Sequence, residues 1–297
     1  MQKIGVVVCG NSGIDYIDHE FDIPVIRSIL LMRGKEYIDF IDISAEDFYK
    51  KLNEDDKLIA STSQASTGEM LEVYKSMKEK GYEELIMISI SNNLSGTYEN
   101  AMLAAQMMGD YKVTVFNSLT LSYPQAKMAL DADRMAKDGK GIEEIINHLE
   151  YIRDNHNIWF AVDTLKYLVA NGRLSGASGF VGSLLKLKPL LQVSKEGKIE
   201  SIEKIRTTQK AANRVIEKFL SATEGLDVEP FIIHSNAPER VERARKMIMD
   251  ARPEIKEIKA YPLTPVVGAH AGPNIVAVGY IINKWLKGGL TWVKQKK

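Results

Sequence analysis

The sequence has little cysteine, no excess of charge and no long apolar run. Cys9 is the one cysteine among 297 residues, so no disulfide can form within the chain, as is typical of a reducing compartment. Lys plus Arg and Asp plus Glu both number 39, which argues against general binding to nucleic acid or to an anionic membrane. No run reaches the roughly 18 apolar residues of a membrane-spanning helix, and the N-terminus lacks a signal-peptide pattern. These absences predict a cytoplasmic protein that does not bind nucleic acid.

Common catalytic motifs are also missing. The sequence contains no G-x-G-x-x-G, no P-loop, no H-E-x-x-H and no paired C-x-x-C. The five histidines lie far apart in sequence, at positions 19, 148, 156, 234 and 270, which argues against a metal site. The sequence therefore predicts neither a resident metal nor a cofactor.

Two hydroxyl-rich runs stand out. The first hydroxyl turn is Ser61–Gly68 (STSQASTG) and the second hydroxyl turn is Ser91–Thr97 (SNNLSGT). Each follows a predicted strand and precedes a predicted helix: Lys57–Ala60 and Glu69–Lys80 for the first, Glu84–Ile90 and Tyr98–Met108 for the second. In an open parallel sheet such turns lie side by side at the carboxyl ends of the strands, where ligands bind. Hydroxyls and free helix N-terminal N–H groups there predict a neutral pocket for an oxygen anion.

Several of these residues also have simpler interpretations. Ser66 with Glu69 fits a capping box, and Ser95 is a natural N-cap for the helix that follows. His270 stands among Gly, Ala and Pro residues, where it is either a loop histidine or a neutral imidazole that hydrogen-bonds a ligand or a nearby hydroxyl. Arg173 follows Asn171-Gly172, a typical helix end, and alone it would be a solvated cation.

The order of predicted elements indicates two α/β domains. Residues 1–156 alternate strands and helices, which predicts a mainly parallel three-layer α/β/α domain. Residues 157–297 contain a hairpin signal at Ser194–Gly197, which predicts a second α/β domain with a mixed sheet. Within the first domain the pattern predicts a helix over Ile23–Arg33 and a strand over Tyr37–Ile43.

Five motifs together resemble the DegV family, which includes the fatty-acid-binding subunits of bacterial fatty acid kinase. They are STSQAS, ISNNLSGTY, DTLKYLVANGRLSG…GSLLKLKPLL, IRTTQKA and GAHAGP, and they span roughly residues 3 to 282 in the family's order. The resemblance implies a protein that is not itself an enzyme. It would bind a long-chain fatty acid in a buried apolar tunnel and present the carboxylate to a separate ATP-dependent kinase, which makes acyl phosphate for phospholipid synthesis.

The resemblance also implies roles for particular residues. The residues expected around the fatty-acid carboxylate are Thr62, Ser63, Ser95, Gly96 and His270. Arg173 is expected near the head group or the partner surface. Separately, the Gly, Ala and Ser content of segment 175–187 predicts a helix that either packs closely against a sheet or leaves a slot for an alkyl tail. Transient contact with a membrane is compatible with this role.

The sequence departs from the family pattern at several positions. The family's usual Thr-Asp-Ser-Thr turn is replaced by Cys9–Gly13, so Asn11 or Ser12 would have to substitute. The other departures are Ala65, Asn92, Ala269, Ala271 and Asn274. An alternative function is an enzyme or binding protein for a small polar hydroxy-ketone or phosphate, by analogy with dihydroxyacetone kinase, with His270 as the covalent ligand-binding residue.

Overall fold

The chain folds into two α/β domains, seen in a computed structural model that describes residues 3–174 and 187–283. The β-strands and α-helices of the first part are β1 (Ile4–Cys9), β2 (Val25–Ile26), β3 (Ile29–Met32), β4 (Lys35–Ile38), α1 (Ala45–Glu54), β5 (Ser61–Ser63), α2 (Thr67–Glu79), β6 (Glu84–Ser89), α3 (Thr97–Met107), β7 (Lys112–Asn117), α4 (Ser122–Lys137) and α5 (Ile142–Asp154). Four of the strands form a parallel sheet in the order β2-β1-β6-β7. The predicted parallel sheet is thus confirmed.

Helices cover this sheet, which explains its composition. All six residues of β1 and five of the six in β6 are buried, as expected for parallel strands covered on both faces. Helix α4 packs against β1 and β6, and α5 packs on α4. Helices α2 and α3 pack against each other and against β6 and β7. The domain is the three-layer α/β/α structure that the sequence predicts.

A small antiparallel sheet, in the order β4-β3-β5, was not predicted. The helix predicted over Ile23–Arg33 is wrong, because this segment instead contains β2 and β3. Burial in β3 alternates residue by residue, which is the period of a strand and not of a helix. Arg33 and Gly34 both have positive φ, as a two-residue hairpin turn between twisted strands requires.

This small sheet changes the setting of the first hydroxyl turn. The strand predicted over Lys57–Ala60 is wrong, since the chain becomes a strand only at β5, within the turn itself. The strand predicted over Tyr37–Ile43 ends at Ile38. Only the second hydroxyl turn follows a strand of the parallel sheet, so the two turns do not lie side by side at one sheet edge.

The second domain is built on a six-stranded mixed sheet. Its elements are β8 (His156–Ala161), α6 (Lys166–Ala170), β9 (Leu190–Val193), β10 (Ile199–Glu203), α7 (Thr208–Ala222), β11 (Val228–His234), α8 (Pro238–Ala251), β12 (Lys259–Pro262), α9 (Pro265–Ala271) and β13 (Val276–Ile282). The strand order is β10-β9-β8-β13-β11-β12, and β11 with β12 is its parallel pair. The hairpin predicted at Ser194–Gly197 is confirmed as the link between β9 and β10.

The two faces of this sheet pack against different partners. One face, with Trp159 and Val278, packs in a separate core cluster with residues of α7 and α8. The other face, with Phe160 and Ala277, joins the core cluster that contains the first domain. The exact domain boundary, placed at 156/157 from the sequence, stays a prediction.

Two further observations concern the lipid hypothesis. Except for Leu187, the segment proposed to leave a slot for the alkyl tail lies outside the described residues. Within the described ranges, no helix has the length and apolar character needed to span a bilayer.

Candidate functional site

A cavity of about 60 Å³ lies where both hydroxyl turns meet the second domain. Its polar lining residues come from six separate segments of the chain and include most of the predicted site. These residues are Asn11, Ser28, Thr62, Gln64, Ser95, Arg173 and His270. Apolar side chains complete the wall, among them Ile90, Leu168 and Val266. The structure therefore brings Thr62, Ser95, Arg173 and His270 to one cavity, although they are distant in sequence.

Strand β5 decides which hydroxyl of the first turn faces the cavity. Thr62 is partly buried, while its neighbours Ser61 and Ser63 are exposed, as alternation along a strand requires. The Thr62 hydroxyl lies 2.7 Å from Nε2 of His270. Ser63 hydrogen-bonds the backbone oxygen of Gln64 instead and is not among the cavity-lining residues. Ser66 forms the predicted capping box with Glu69 and begins α2.

His270 lies on helix α9, so its interpretation as a loop histidine is wrong. Thr264 caps this helix, since its hydroxyl accepts a hydrogen bond from the Val267 N–H. Gly268 lets α9 approach α1 closely, because a Cβ there would lie 2.2 Å from the Tyr49 hydroxyl. That hydroxyl donates to the Leu263 carbonyl at 2.9 Å, just before the helix. These contacts fix the helix that carries His270.

The imidazole of His270 is neutral at physiological pH. Burial lowers its pKa to about 4, and repulsion from Arg173 acts in the same direction. Nδ1 is buried and has no hydrogen-bond partner among the described residues. A neutral ring can donate through one nitrogen only, so its hydrogen bond with Thr62 determines what that hydroxyl can offer a ligand.

The second hydroxyl turn places Ser95 and Gly96 at the start of α3. Gly96 is the N-cap, not Ser95 as predicted; the Ser95 hydroxyl accepts from the Thr97 N–H at 3.3 Å and lies 2.8 Å from the Thr97 hydroxyl. Gly96 is not a cavity-lining residue, but a Cβ there would lie 2.5 Å from Nε2 of Gln64. The Gln64 side chain therefore packs directly against Gly96, and Gly96 affects the cavity by allowing Gln64 this position.

The hairpin of the second domain holds this turn in place. The Ser91 hydroxyl donates to the Gly197 carbonyl at 2.8 Å, and the Asn93 amide donates to the Glu196 carbonyl at 2.7 Å. Gly197 has φ of 74°, and a Cβ there would lie 2.2 Å from the Ser91 hydroxyl. Only glycine fits this position without displacement, and the two domains are joined beside the site.

Sequence reasoning missed the role of Asn171. The two N–H groups of its side-chain amide are shared among three carbonyl oxygens, those of Tyr167, Ala60 and Ala269, which lie 3.1–3.2 Å from Nδ2. It thereby fixes the chain just before Thr62 and just before His270. Arg173 follows, with its guanidinium donating to the carbonyls of Asn171 at 2.6 Å and Leu94 at 3.1 Å. The Asn-Gly pair signalled a helix end and gave no sign of these long-range contacts.

The two residues expected to replace the family's first turn have different positions. Asn11 lines the cavity and is 8% exposed. Ser12 instead accepts a hydrogen bond from the Ile14 N–H at 3.3 Å, within its own turn. Asn11 and Gln64 thus add two amides to a wall of hydroxyls. In the described part of the chain, no group of three or more His, Cys, Asp or Glu residues is placed to hold a metal ion.

Comparisons with known proteins identify the family of this chain. A family model described as "Uncharacterised protein, DegV family" matches residues 3–283. A DegV domain-containing protein from Listeria innocua is 32% identical over 293 residues, which cover 98% of each chain.

Solved structures give the same result. A DegV protein from Bacillus subtilis, described as a fatty acid binding protein, is 31% identical, with a TM-score of 0.80 over 95% of this chain and 100% of its own. A fatty acid binding DegV family protein from Streptococcus agalactiae is 25% identical, with a TM-score of 0.86 over 96% of this chain and 100% of its own. The chain belongs to the DegV family.

Proposed function

We propose that this protein binds a long-chain fatty acid and holds its carboxylate in the cavity lined by Thr62, Ser95 and His270. The observation that carries the proposal is the 2.7 Å hydrogen bond between Thr62 and His270 at the wall that they share with Ser95. Similar structures of fatty acid binding proteins support the ligand class.

The proton arrangement suits an anionic head group. If Nε2 of His270 carries the proton, it donates to the Thr62 oxygen, and the Thr62 hydroxyl is free to donate to a carboxylate. The Ser95 oxygen already accepts from Thr97, so its hydrogen can also be directed at the ligand. The low pKa of His270 keeps the ring neutral, so the carboxylate is held by hydroxyl hydrogen bonds with one guanidinium nearby.

Affinity is expected to come from the alkyl tail. Each buried methylene contributes about 0.8 kcal/mol, so a tail of about fifteen contributes roughly 12 kcal/mol before the cost of association. A hydrogen bond to a charged head group contributes only about 1.5–3 kcal/mol. The tail therefore sets the affinity and the polar residues set the orientation.

We further propose that the bound acid is presented to a separate ATP-dependent kinase. A carboxylate held mainly by hydroxyls keeps its electron pairs accessible, so one oxygen can attack the terminal phosphorus of ATP as ADP leaves, giving acyl phosphate. Arg173 lies at the cavity, where it can meet the partner or the developing phosphate charge. Lipid supply would involve transient contact with a membrane.

Mass spectrometry of lipid extracted from the purified protein tests the binding proposal directly. We expect a long-chain fatty acid, and rebinding of palmitate or oleate after lipid removal. A protein that contains no fatty acid and ignores both added acids would contradict the proposal. A small polar ligand in the extract would favour the hydroxy-ketone or phosphate alternative.

The role of Arg173 is tested separately. Arg173→Ala is expected to retain bound lipid while slowing phosphorylation by the kinase. Arg173→Lys keeps the charge and serves as the matched control. Loss of lipid from Arg173→Ala would place this side chain among the direct head-group contacts.

A further inference from the structure

The side chain of Asn11 has a buried oxygen that the protein leaves without a partner. Asn11 lines the head-group cavity and is 8% exposed, and its Oδ1 accepts no hydrogen bond from the described residues. A buried acceptor without a donor is costly, so natural structures rarely keep one without a reason. Asn11 is therefore a candidate for direct contact with whatever occupies the cavity.

The backbone holds Asn11 in this position. It is the middle residue of a one-turn 3₁₀ helix, Gly10–Ser12, that follows β1. The turn is closed by Gly13, whose φ of 70° allows its N–H to donate to the Gly10 carbonyl at 2.9 Å. Ser12 accepts from the Ile14 N–H and so fixes the next residues. The turn therefore fixes the backbone position of Asn11 at the cavity wall.

The hydrogen-bonding groups around the cavity are of two kinds. The hydroxyls of Thr62 and Ser95 and the guanidinium of Arg173 are donors, which suit a carboxylate. Asn11 Oδ1 is an acceptor, and so is His270 Nδ1 when Nε2 carries the ring proton, and neither has a donor among the described residues. An ionised carboxylate carries no proton to give them, and its oxygens would be repelled by an amide oxygen. An O–H group on the ligand would supply Asn11 Oδ1 with the donor that it lacks among the described residues.

We propose that the preferred ligand is a long-chain acid with a hydroxyl group on carbon 2 or 3, and that this hydroxyl donates to Asn11 Oδ1. The proposal rests on the proposed function and deepens it, because the same cavity holds the carboxylate. Asn11 is then a specificity residue that distinguishes hydroxy acids from plain acids of the same length.

Equilibrium binding to the lipid-free protein tests this, with hexadecanoic, 2-hydroxyhexadecanoic and 3-hydroxyhexadecanoic acids as matched ligands. One added hydrogen bond predicts that one of the hydroxy acids binds about fivefold tighter than hexadecanoic acid. Asn11→Leu has nearly the same shape but no acceptor, so it should bind all three acids alike.

Three results would overturn the proposal. The first is that wild type prefers neither hydroxy acid, and the second is that the preference survives in Asn11→Leu. The third is that Asn11→Leu weakens the binding of all three acids by the same factor while its unfolding transition is unchanged. That result would mean that the Asn11 amide donates its NH₂ to the carboxylate. A protein that binds none of the acids would instead contradict the proposed function.

Discussion

Two histidines, the buried His156 and the partly buried His270, have similar surroundings but differ in their hydrogen bonding. Each places Nε2 near a threonine hydroxyl, at 2.9 Å from Thr120 and at 2.7 Å from Thr62. Burial lowers the pKa of each ring to about 4, so both are neutral. His156, however, also bonds the Ile152 carbonyl through Nδ1 at 2.9 Å, whereas Nδ1 of His270 has no partner among the described residues.

The difference separates a structural histidine from one available to a ligand. In His156 the carbonyl fixes the proton on Nδ1, so Nε2 accepts from Thr120 and both nitrogens are satisfied by the protein. The backbone carbonyl of Thr120 accepts a hydrogen bond from the Ser91 N–H, so the His156–Thr120 pair supports the second hydroxyl turn. His270 and Thr62 face the cavity and have hydrogen-bonding capacity left for a ligand.

The largest effect is expected on stability when the structural histidine is removed. His156→Ala leaves a cavity and an unpaired Thr120 hydroxyl, so it should lower the free energy of unfolding by about 3 kcal/mol. Urea unfolding at pH 7 measures this. His270→Ala is the matched control and should lose clearly less, because its ring faces an existing cavity; equal losses would mean that the two histidines do not differ in this way.

The second effect concerns pH. A histidine whose pKa is lowered on folding stabilises the fold above the unfolded value of 6.5, and this contribution is lost as pH falls toward the folded value of about 4. Asp39 acts in the opposite direction, because burial raises its pKa to about 7. The histidine contribution is therefore measured as a difference between variants.

Between pH 7 and pH 5, the free energy of unfolding of lipid-free wild type should fall by about 2 kcal/mol more than that of lipid-free His270→Gln, because a glutamine side chain does not titrate. His156→Gln should show a similar difference, since the two pKa values are alike. Parallel pH profiles for wild type and both variants would contradict the assignment of neutral imidazoles with lowered pKa values.

The third effect distinguishes Thr62, expected to act in binding, from Thr120, expected to act in stability. Thr62→Val removes the hydroxyl at the cavity and should weaken fatty acid binding about tenfold, with little change in stability. Thr120→Val removes the hydroxyl paired with His156 and should lower stability by about 1 kcal/mol, with binding within twofold of wild type. Titration with a fluorescent fatty acid, together with thermal unfolding, provides both readouts. A larger binding defect in Thr120→Val would reverse the assignment.

The smallest effect tests Gly96 through its neighbour. Gly96→Ala must displace the Gln64 amide, which lies 2.5 Å from the added Cβ, so fatty acid affinity should fall about threefold. Gln64→Ala alone should give a similar loss, and the double variant should be no worse than either single one. An additive loss in the double variant would show that Gly96 acts independently of Gln64.

The periodicity of apolar residues, together with helix-capping and turn signals, predicted most of the fold. Buried runs such as β1 and β6, the capping box at Ser66 and the hairpin at Ser194–Gly197 each depend on neighbouring residues, so the sequence reveals them. The error over Ile23–Arg33 arose because short apolar segments suit either a helix or a strand, and β3 pairs on its other edge, away from β4, with β5, some thirty residues later. Pairing over such distances leaves no local signal.

The family motifs indicated the candidate site residues, but the sequence did not give the geometry of the site. The sequence could not show that Thr62 faces inward while Ser63 faces out, because that depends on the register between β3 and β5. It also gave no sign that Asn171 ties three segments together or that Gly197 holds Ser91. These contacts join residues that are about a hundred positions apart, and only the folded chain brings them together.

The Ser91–Gly197 contact bears on how the proposed lipid would be exchanged. The hairpin of the second domain hydrogen-bonds the second hydroxyl turn at Ser91 and Asn93, and that turn also carries Ser95. Separating the two domains here would break these hydrogen bonds beside the proposed carboxylate site. Cross-linking the hairpin to the turn should leave exchange intact if lipid passes elsewhere.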